Sequence, residues 1–287
     1  MEWHFLTVGV GDANYERAAK RLSKEAQHSQ YFSSVISETN ATLKLHHRLF
    51  LDEHGKFISE NENLGYGNFL WKSYLVKYWL NKIPAGDGLL YLDSGCSFNF
   101  KTQEAKVKFE NYLETAYKKG SLLTQLTSGQ FGIDDLSEKS WSTPELIELM
   151  ELSAESKNSN QIQAGVLFLI NTLKNREIVR NWWETCIVDD YYYLRHSNFK
   201  NHRNILCQNR HDQSIFSCLA KKNNMHVISD ETYFYPDWYK FGKNYPIWAM
   251  RNRSGISRNA PYVKHVPARL LNFAIKIQNL LLRYSND

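Results

Sequence analysis

Short apolar runs alternate with helix-like stretches along most of this chain, and this alternation limits its fold more than any other feature. Three runs have the length and apolar character of buried strands, at 4–10, 89–92 and 166–170. Apolar residues recur at helical spacing over 15–27, 69–82, 103–119, 173–189 and 211–222, whereas the polar stretch 53–63 predicts a loop. The alternation continues for about 220 residues without a linker rich in Pro, Gly or Ser. It therefore predicts one α/β domain with a mostly parallel central sheet.

Positive charge is concentrated at the C-terminal end of the chain. Of the 35 Lys and Arg residues, nine lie from Lys240 onward, against a single acid, Asp287. We therefore divide the chain into a domain at 1–250 and a basic tail at 251–287, which contains the apolar spacing of an amphipathic helix. Such a tail indicates either an anionic partner or a solvated surface. Its helix is predicted either to pack against the domain or a second subunit, or to lie on anionic lipid.

Several protein classes are excluded by signals that the sequence lacks. No run approaches the roughly 18 apolar residues that a membrane span needs, and Glu2 stands where a secretory signal would carry Lys or Arg. The four cysteines have no zinc-site spacing, as expected for reduced thiols. No RRM, KH or helix-turn-helix signature is present. We therefore predict a cytoplasmic protein without a nucleic-acid partner.

Three loops are candidates for ligand binding, because ligands of open α/β sheets bind beyond the carboxyl ends of the strands. The first begins at Gly9-Val10-Gly11, which lacks the third glycine of a dinucleotide loop, and the chain has no Walker sequence. The second begins at Asp93, directly after the apolar run 89–92, and the third surrounds 161–165. A carboxylate in the position of Asp93 suits either a divalent cation shared with substrate phosphates or the capping of a loop.

Four blocks in the middle of the chain resemble one family of enzymes. They are GYGNFLWK (65–72), YLDSGC (91–96), QAGVLFLINT (163–172) and RHDQSIFS (210–217). In order and spacing they are similar to bacterial GT-A glycosyltransferases of polysaccharide, capsule and O-antigen biosynthesis. The resemblance implies a Rossmann-like GT-A domain that moves a sugar from a nucleoside diphosphate to an acceptor hydroxyl during surface-glycan assembly. The alternative is a non-catalytic protein that binds nucleotides or carbohydrates.

The resemblance also implies which residues form the site. The donor would contact Val8, Gly9, Lys72, Asp93, Ser94, Gly95, Arg251 and Arg253. The acceptor or the donor sugar would contact Gln163, Ala164, Gly165, His211 and Gln213. The catalytic candidates are Asp93 and Asp212, and Asp212 acts either on the acceptor hydroxyl or as a helix N-cap. At a helix N-terminus the pKa of Asp212 is expected to be lowered.

The cofactor implied by the resemblance is a divalent cation, although one expected ligand is missing. The family's Asp-x-Asp motif reads Asp-Ser-Gly at 93–95, without the second carboxylate. Either Mn²⁺ or Mg²⁺ would be held by Asp93 and His265, or basic side chains alone would hold the donor diphosphate. The basic candidates are Arg251, Arg253 and Arg258. The implied partners are a nucleotide-sugar donor, with a UDP-sugar favoured, and a glycan or lipid-linked glycan acceptor. A lipid-linked acceptor would give the C-terminal helix a reason to contact the inner face of the cytoplasmic membrane.

Overall fold

A six-stranded central sheet organises the computed structural model, which describes residues 1–195, 198–200 and 206–252. Its strands are β1 (Trp3–Gly9), β2 (Ser34–Thr39), β3 (Gly88–Asp93), β5 (Ser121–Gln125), β6 (Ile162–Ile170) and β9 (Val227–Ser229). They lie in the order β2-β1-β3-β6-β5-β9, and β6 alone runs antiparallel to its neighbours. The predicted α/β fold with a mostly parallel sheet is therefore confirmed.

Among the residues that the structure describes, two further antiparallel pairs lie outside the central sheet. One joins β4 (Ser97–Phe98) to β10 (Ile247–Trp248), and the other joins β7 (Asn198–Lys200) to β8 (Leu206–Gln208). The first pair connects the loop after β3 with the end of the described chain. Residues close to position 250 are therefore held near the carboxyl end of β3.

The helices connect the strands and cover both faces of the sheet. They are α1 (Ala13–Ser29), α2 (Asn40–His46), α3 (Arg48–Glu60), α4 (Gly65–Asn68), α5 (Leu70–Lys82), α6 (Gln103–Lys119), α7 (Glu138–Trp141), α8 (Pro144–Leu149), α9 (Ala154–Asn158), α10 (Leu173–Tyr191), α11 (Asp212–Lys222) and α12 (Trp238–Phe241). In the described part of the chain, none of them has both the length and the apolar character needed to cross a bilayer.

The core is divided by the sheet into two hydrophobic layers. Successive side chains of a strand point to opposite faces, so Tyr91 packs in one layer and its neighbour Leu90 in the other. The Tyr91 layer lies under α5, α10 and α11, with Trp182 fully buried in it. The other layer lies under α1 and α6, with Phe109 fully buried. Coverage of both faces leaves the ends of the strands as the open edges of the domain.

One part of the secondary-structure prediction was wrong. The polar composition of 53–63 predicted a loop, whereas α3 continues to Glu60. The helix forms because Phe50, Phe57 and Ile58 recur at helical spacing and are buried against the core. Phe50 stacks on Tyr74 of α5 at 4.4 Å between ring centroids. Tertiary packing of this apolar stripe thus outweighs the polar residues between its members.

A left-handed turn precedes α5. Five successive residues, 65–69, have positive φ angles between 52° and 81°. Left-handed backbone costs a non-glycine residue about 1–2 kcal/mol, so glycine at two of the five positions reduces the strain. At Gly67 a Cβ would also lie 2.9 Å from Cγ1 of Ile58. Tyr66 packs against Gly11, and the turn therefore brings the start of α5 to the loop after β1.

Candidate active site

Charged side chains from three elements meet at the carboxyl edge of the sheet. Asp93 ends β3, Lys72 lies in the first turn of α5, and Asp212 begins α11. Helix α5 leads into β3 and helix α11 leads into β9, and both strands end at this edge. Since each helix runs back across the sheet before the strand that follows it, both helices start here. The fold thus brings together three residues that lie far apart in sequence and that were predicted separately.

Lys72 is the centre of this cluster. Its ammonium lies 3.1 Å from Oδ1 of Asp93 and 3.2 Å from Oδ2 of Asp212. Lys72 and Asp212 are both buried, whereas 45 % of the Asp93 side chain is exposed. The contact of Asp212 Oδ2 with Lys72 is therefore an ion pair between two buried groups. Asp93 is therefore the member of the cluster that is exposed to solvent.

The charges in the cluster alter its acid–base behaviour. Burial raises the pKa of Asp212 to about 6, opposed by Lys72 and reinforced by Asp93. For Lys72, burial alone would lower the pKa, but the two carboxylates raise it above its usual range. Lys72 therefore stays charged at neutral pH. The expected lowering of the Asp212 pKa by a helix N-terminus is wrong, because the loss of hydration outweighs it.

Asp93 is oriented by contacts to one of its two oxygens. Oδ1 accepts a 2.6 Å hydrogen bond from the Tyr91 hydroxyl and also faces the Lys72 ammonium. Oδ2 points towards Gly165 on β6, where a Cβ would lie only 2.8 Å from it. Glycine at 165 therefore lets the Asp93 carboxylate lie close to β6, and we call the place beside Gly165 that Oδ2 borders the notch.

Gln163, on the same strand, contributes a second oxygen to that notch. Its Nε2 donates to Thr124 Oγ1, Asp230 Oδ1 and Thr232 Oγ1, at 2.6, 3.0 and 3.0 Å. Because the nitrogen points inward, Oε1 points outward and would lie 3.7 Å from a Cβ on Gly165. Neither Asp230 nor the two threonines were predicted from the sequence. A carboxylate directly after a short strand, as at Asp230, was the signal that could have found the first of them.

The loop 94–97 is held in place by a buried arginine that was also missed. Arg21 of α1 donates to the carbonyl oxygens of Ser94 and Cys96 at 2.9 and 2.8 Å. It also contacts Asn252 O at 3.3 Å. Gly95 lies against the same segment, since a Cβ there would be 3.0 Å from Arg251 Cα. The space next to position 95 is thus filled by backbone.

Several predicted site residues have a packing role in the structure. Val8 and Ala164 are buried in the core, and a Cβ on Gly9 would lie 2.2 Å from Tyr15 O. Glycine at position 9 is therefore required for the close approach of α1 to β1. Gln213 donates to Gln161 Oε1 at 2.9 Å. A role of these residues in ligand binding therefore stays a prediction.

His211 takes the N-cap position of α11, so the N-cap alternative for Asp212 is wrong. The backbone of His211 has φ 53° and ψ −126°, and its Nδ1 lies 2.9 Å from Leu194 O. Asp212 is the first residue of the helix and points at Lys72 instead. Arg251 is exposed, with its guanidinium 5.2 Å from the centre of the Phe131 ring. Candidates Arg253, Arg258 and His265, and the predicted C-terminal helix, lie outside the described residues.

The residues at the notch fit a hard divalent cation in part. Asp93 Oδ2 offers an anionic oxygen and Gln163 Oε1 a neutral one, both types that Mg²⁺ and Mn²⁺ accept. Among the described residues, a group of three potential metal ligands occurs at Glu2, His4 and Asp87. It lies at the opposite edge of the sheet, where β1 and β3 begin. The ring nitrogens of His4 already contact Ser34 and Asp87. Because it lies at the opposite edge, this cluster is separate from the notch.

Comparisons with known proteins found likeness in structure only. No family profile and no curated protein matches the sequence. A glycosyltransferase involved in glycosylation of the major capsid of PBCV-1 is 12 % identical, with 89 % of this chain and 95 % of that chain covered and a TM-score of 0.47. Mouse xyloside xylosyltransferase 1 is 12 % identical, with 92 % and 100 % covered and a TM-score of 0.42. Galactosyltransferase LgtC is also 12 % identical, with 85 % and 86 % covered and a TM-score of 0.40. At these values the likeness assigns no activity to this chain.

Proposed function

We propose that this protein is a glycosyltransferase of the hexosyltransferase type. It would transfer a sugar from a nucleoside diphosphate donor, with UDP favoured, to an acceptor hydroxyl in bacterial surface-glycan assembly. The observation that carries the proposal is the Lys72–Asp93–Asp212 cluster at the carboxyl edge of the sheet. A charged network with two buried members and one exposed carboxylate is more typical of a site than of a structural ion pair.

Asp93 is the residue that we assign to the donor. Its Oδ1 is fixed by Tyr91 and Lys72, so Oδ2 is held in one direction towards the notch at Gly165. A divalent cation bound there would neutralise the charge that develops on the leaving diphosphate. The fixed orientation of Asp93 means that this side chain would not have to reorganise when the donor arrives.

Asp212 is assigned a different role from the one expected from the sequence. It is only 2 % exposed and lies behind Lys72, so an acceptor hydroxyl in the cleft would meet Asp93 first. Its carboxylate balances the buried ammonium, which in turn orients Asp93. We therefore propose that Asp212 is a positioning residue for the site and that it does not serve as the base.

Hydrolysis of donor is the measurement that tests the proposed function. A panel of nucleotide sugars is incubated with the protein, with and without Mn²⁺, and release of nucleoside diphosphate is followed. We expect release from at least one donor, and a loss of more than tenfold, or about 1.4 kcal/mol, in Asp93→Ala. Asp52→Ala is the matched control, because that carboxylate is exposed on α3 and lies outside the site.

The same assay has outcomes that contradict the proposal. Release that is equal in Asp93→Ala and in wild type would show that Asp93 is not part of the reaction. Tight binding of a nucleotide sugar without any release, across the whole panel, would favour the non-catalytic binding protein instead. Unchanged melting temperatures of both variants show that the comparison is not affected by unfolding.

A further inference from the structure

We propose that Gln163 supplies the second oxygen ligand of a divalent cation site whose first ligand is Asp93. The cation would lie in the notch above Gly165, between β3 and β6. This inference deepens the proposed function and rests on it for the donor phosphates that would complete the coordination. The proposed ligand is an amide oxygen on β6, whereas the Asp-Ser-Gly sequence lies at the end of β3.

The geometry of the notch brings the two oxygens to one place. A Cβ on Gly165 would lie 2.8 Å from Asp93 Oδ2 and 3.7 Å from Gln163 Oε1, so both oxygens lie on the same side of Gly165. Gln163 is 9 % exposed, so its side chain is largely buried while its oxygen faces the notch. The methyl group of an alanine at 165 would clash with Asp93 Oδ2 and displace it from this place.

The direction of Oε1 is fixed by the hydrogen bonds of Nε2. Two of its partners are acceptors towards the amide: the Asp230 carboxylate, and Thr232 Oγ1, whose own proton is donated to Asp230 Oδ1 at 2.6 Å. Exchanging the nitrogen and oxygen of Gln163 would place its oxygen against the Asp230 carboxylate. Asp230 is itself held by Gln130 at 2.8 Å and by the backbone N–H of Thr232 at 2.9 Å. Partners that orient a metal ligand in this way are a regular feature of metal sites.

The charge of the cluster favours a cation over a neutral ligand in the notch. At neutral pH the cluster contains two carboxylates and one ammonium, and so carries one excess negative charge. A donor diphosphate would bring further negative charge towards Asp93. A carboxylate oxygen and phosphate oxygens can share one place when a divalent cation lies between them, as in many Mg²⁺ sites. Sugar hydroxyls could also donate to these two oxygens, but they would not compensate the repulsion between Asp93 and the donor diphosphate.

Binding of Mn²⁺, measured by electron paramagnetic resonance of the free ion, tests the inference apart from activity. Mn²⁺ is titrated into the full chain in two arms, alone and with UDP. We expect a site in the wild type, with affinity lowered about tenfold or more in Gln163→Leu and in Gly165→Ala. Gly165→Ala keeps both ligand side chains but places a methyl group 2.8 Å from Asp93 Oδ2, so it still tests the notch if Gln163→Leu does not fold.

The matched control is Gln125→Leu. Gln125 ends the neighbouring strand β5, but its amide donates away from the notch to Asn160 O at 2.7 Å. We expect its Mn²⁺ affinity to equal that of the wild type within about twofold, below the tenfold loss expected for a ligand. Equal affinity in Gln163→Leu and wild type would overturn the inference, as would a wild type that binds no Mn²⁺ in either arm.

Failure of this inference and failure of the proposed function give different results. Mn²⁺ binding that is lost in Gln163→Leu, together with no donor release from any nucleotide sugar, would keep the cation site and refute sugar transfer. Donor release that proceeds while Gln163→Leu binds Mn²⁺ normally would keep sugar transfer and refute the role of Gln163.

Discussion

Replacing Lys72 with methionine should be the most damaging single change near the site that keeps side-chain volume. Methionine retains the length of the side chain but removes the ammonium, so buried Asp212 loses its ion-pair partner at 3.2 Å. Removing one partner of a buried pair typically costs about 3–5 kcal/mol, because an uncompensated charge is left behind. Asp212 can avoid part of this cost by taking up a proton.

The pH dependence of this loss follows from the pKa of Asp212. In the wild type the folded-state pKa is raised to about 6 from an ordinary value of 3.8. The folded protein therefore binds more protons than the unfolded chain between about pH 4 and pH 6, and stability falls as the pH rises through that window. A difference of about two pH units corresponds to about 3 kcal/mol. Without Lys72 the pKa of Asp212 rises further, so in Lys72→Met the decrease should continue above pH 6.

Urea denaturation at pH 5 and pH 8 measures this effect. We expect Lys72→Met to be less stable than wild type at both values, with the larger loss at pH 8. The double variant Lys72→Met/Asp212→Asn should recover more than half of the loss at pH 8, because it removes the buried charge. A single variant that loses less than about 1 kcal/mol, well under the typical cost of a broken buried pair, would refute the reasoning. So would a double variant that is no more stable than the single one.

Three further predictions concern the turn, the loop and the pH profile. Gly67→Ala should lower the free energy of unfolding by about 1–2 kcal/mol, because the φ of Gly67 is 81°. Gly55→Ala should leave stability unchanged or raise it, because nothing lies within 4 Å of the added Cβ; equal melting temperatures of the two variants would contradict this. Gly95→Ala should cost about 1–3 kcal/mol, because its Cβ would lie 3.0 Å from Arg251 Cα; an unchanged urea midpoint would disprove that contact. Donor release should fall below about pH 6, where Asp212 takes up a proton, and Asp212→Asn should lose this acid limb; a limb that persists in the variant belongs to another group.

Most strands and helices could be predicted because their apolar spacing is a local property. The prediction of a helix at 103–119 agrees with α6, and the strand at 89–92 lies within β3. One exception is α3, which is short of local signals because polar residues fill the positions between its buried ones. Phe50 packs on rings of α5 and α10, which come from later in the chain.

The candidate site could be predicted residue by residue but not as a network. Lys72, Asp93 and Asp212 were each selected, yet nothing local to them shows that one ammonium lies between the two carboxylates. Arg21 illustrates the limit most clearly. It lies among basic residues of α1 that look solvent-exposed, but it is 4 % exposed because carbonyl oxygens of the loop 94–97 surround it.

Asp212 shows why the expected sign of its pKa change was wrong. A helix N-terminus stabilises a carboxylate by about 0.3–1 kcal/mol when the group is exposed. Burial removes hydration that is worth several kcal/mol to an ion, and Lys72 returns part of that loss. The balance raises the pKa to about 6, so Asp212 is still ionised at neutral pH, and its charge depends on its partner. Any change that moves Lys72 will therefore alter the charge of Asp212 and, through the ammonium, the orientation of Asp93.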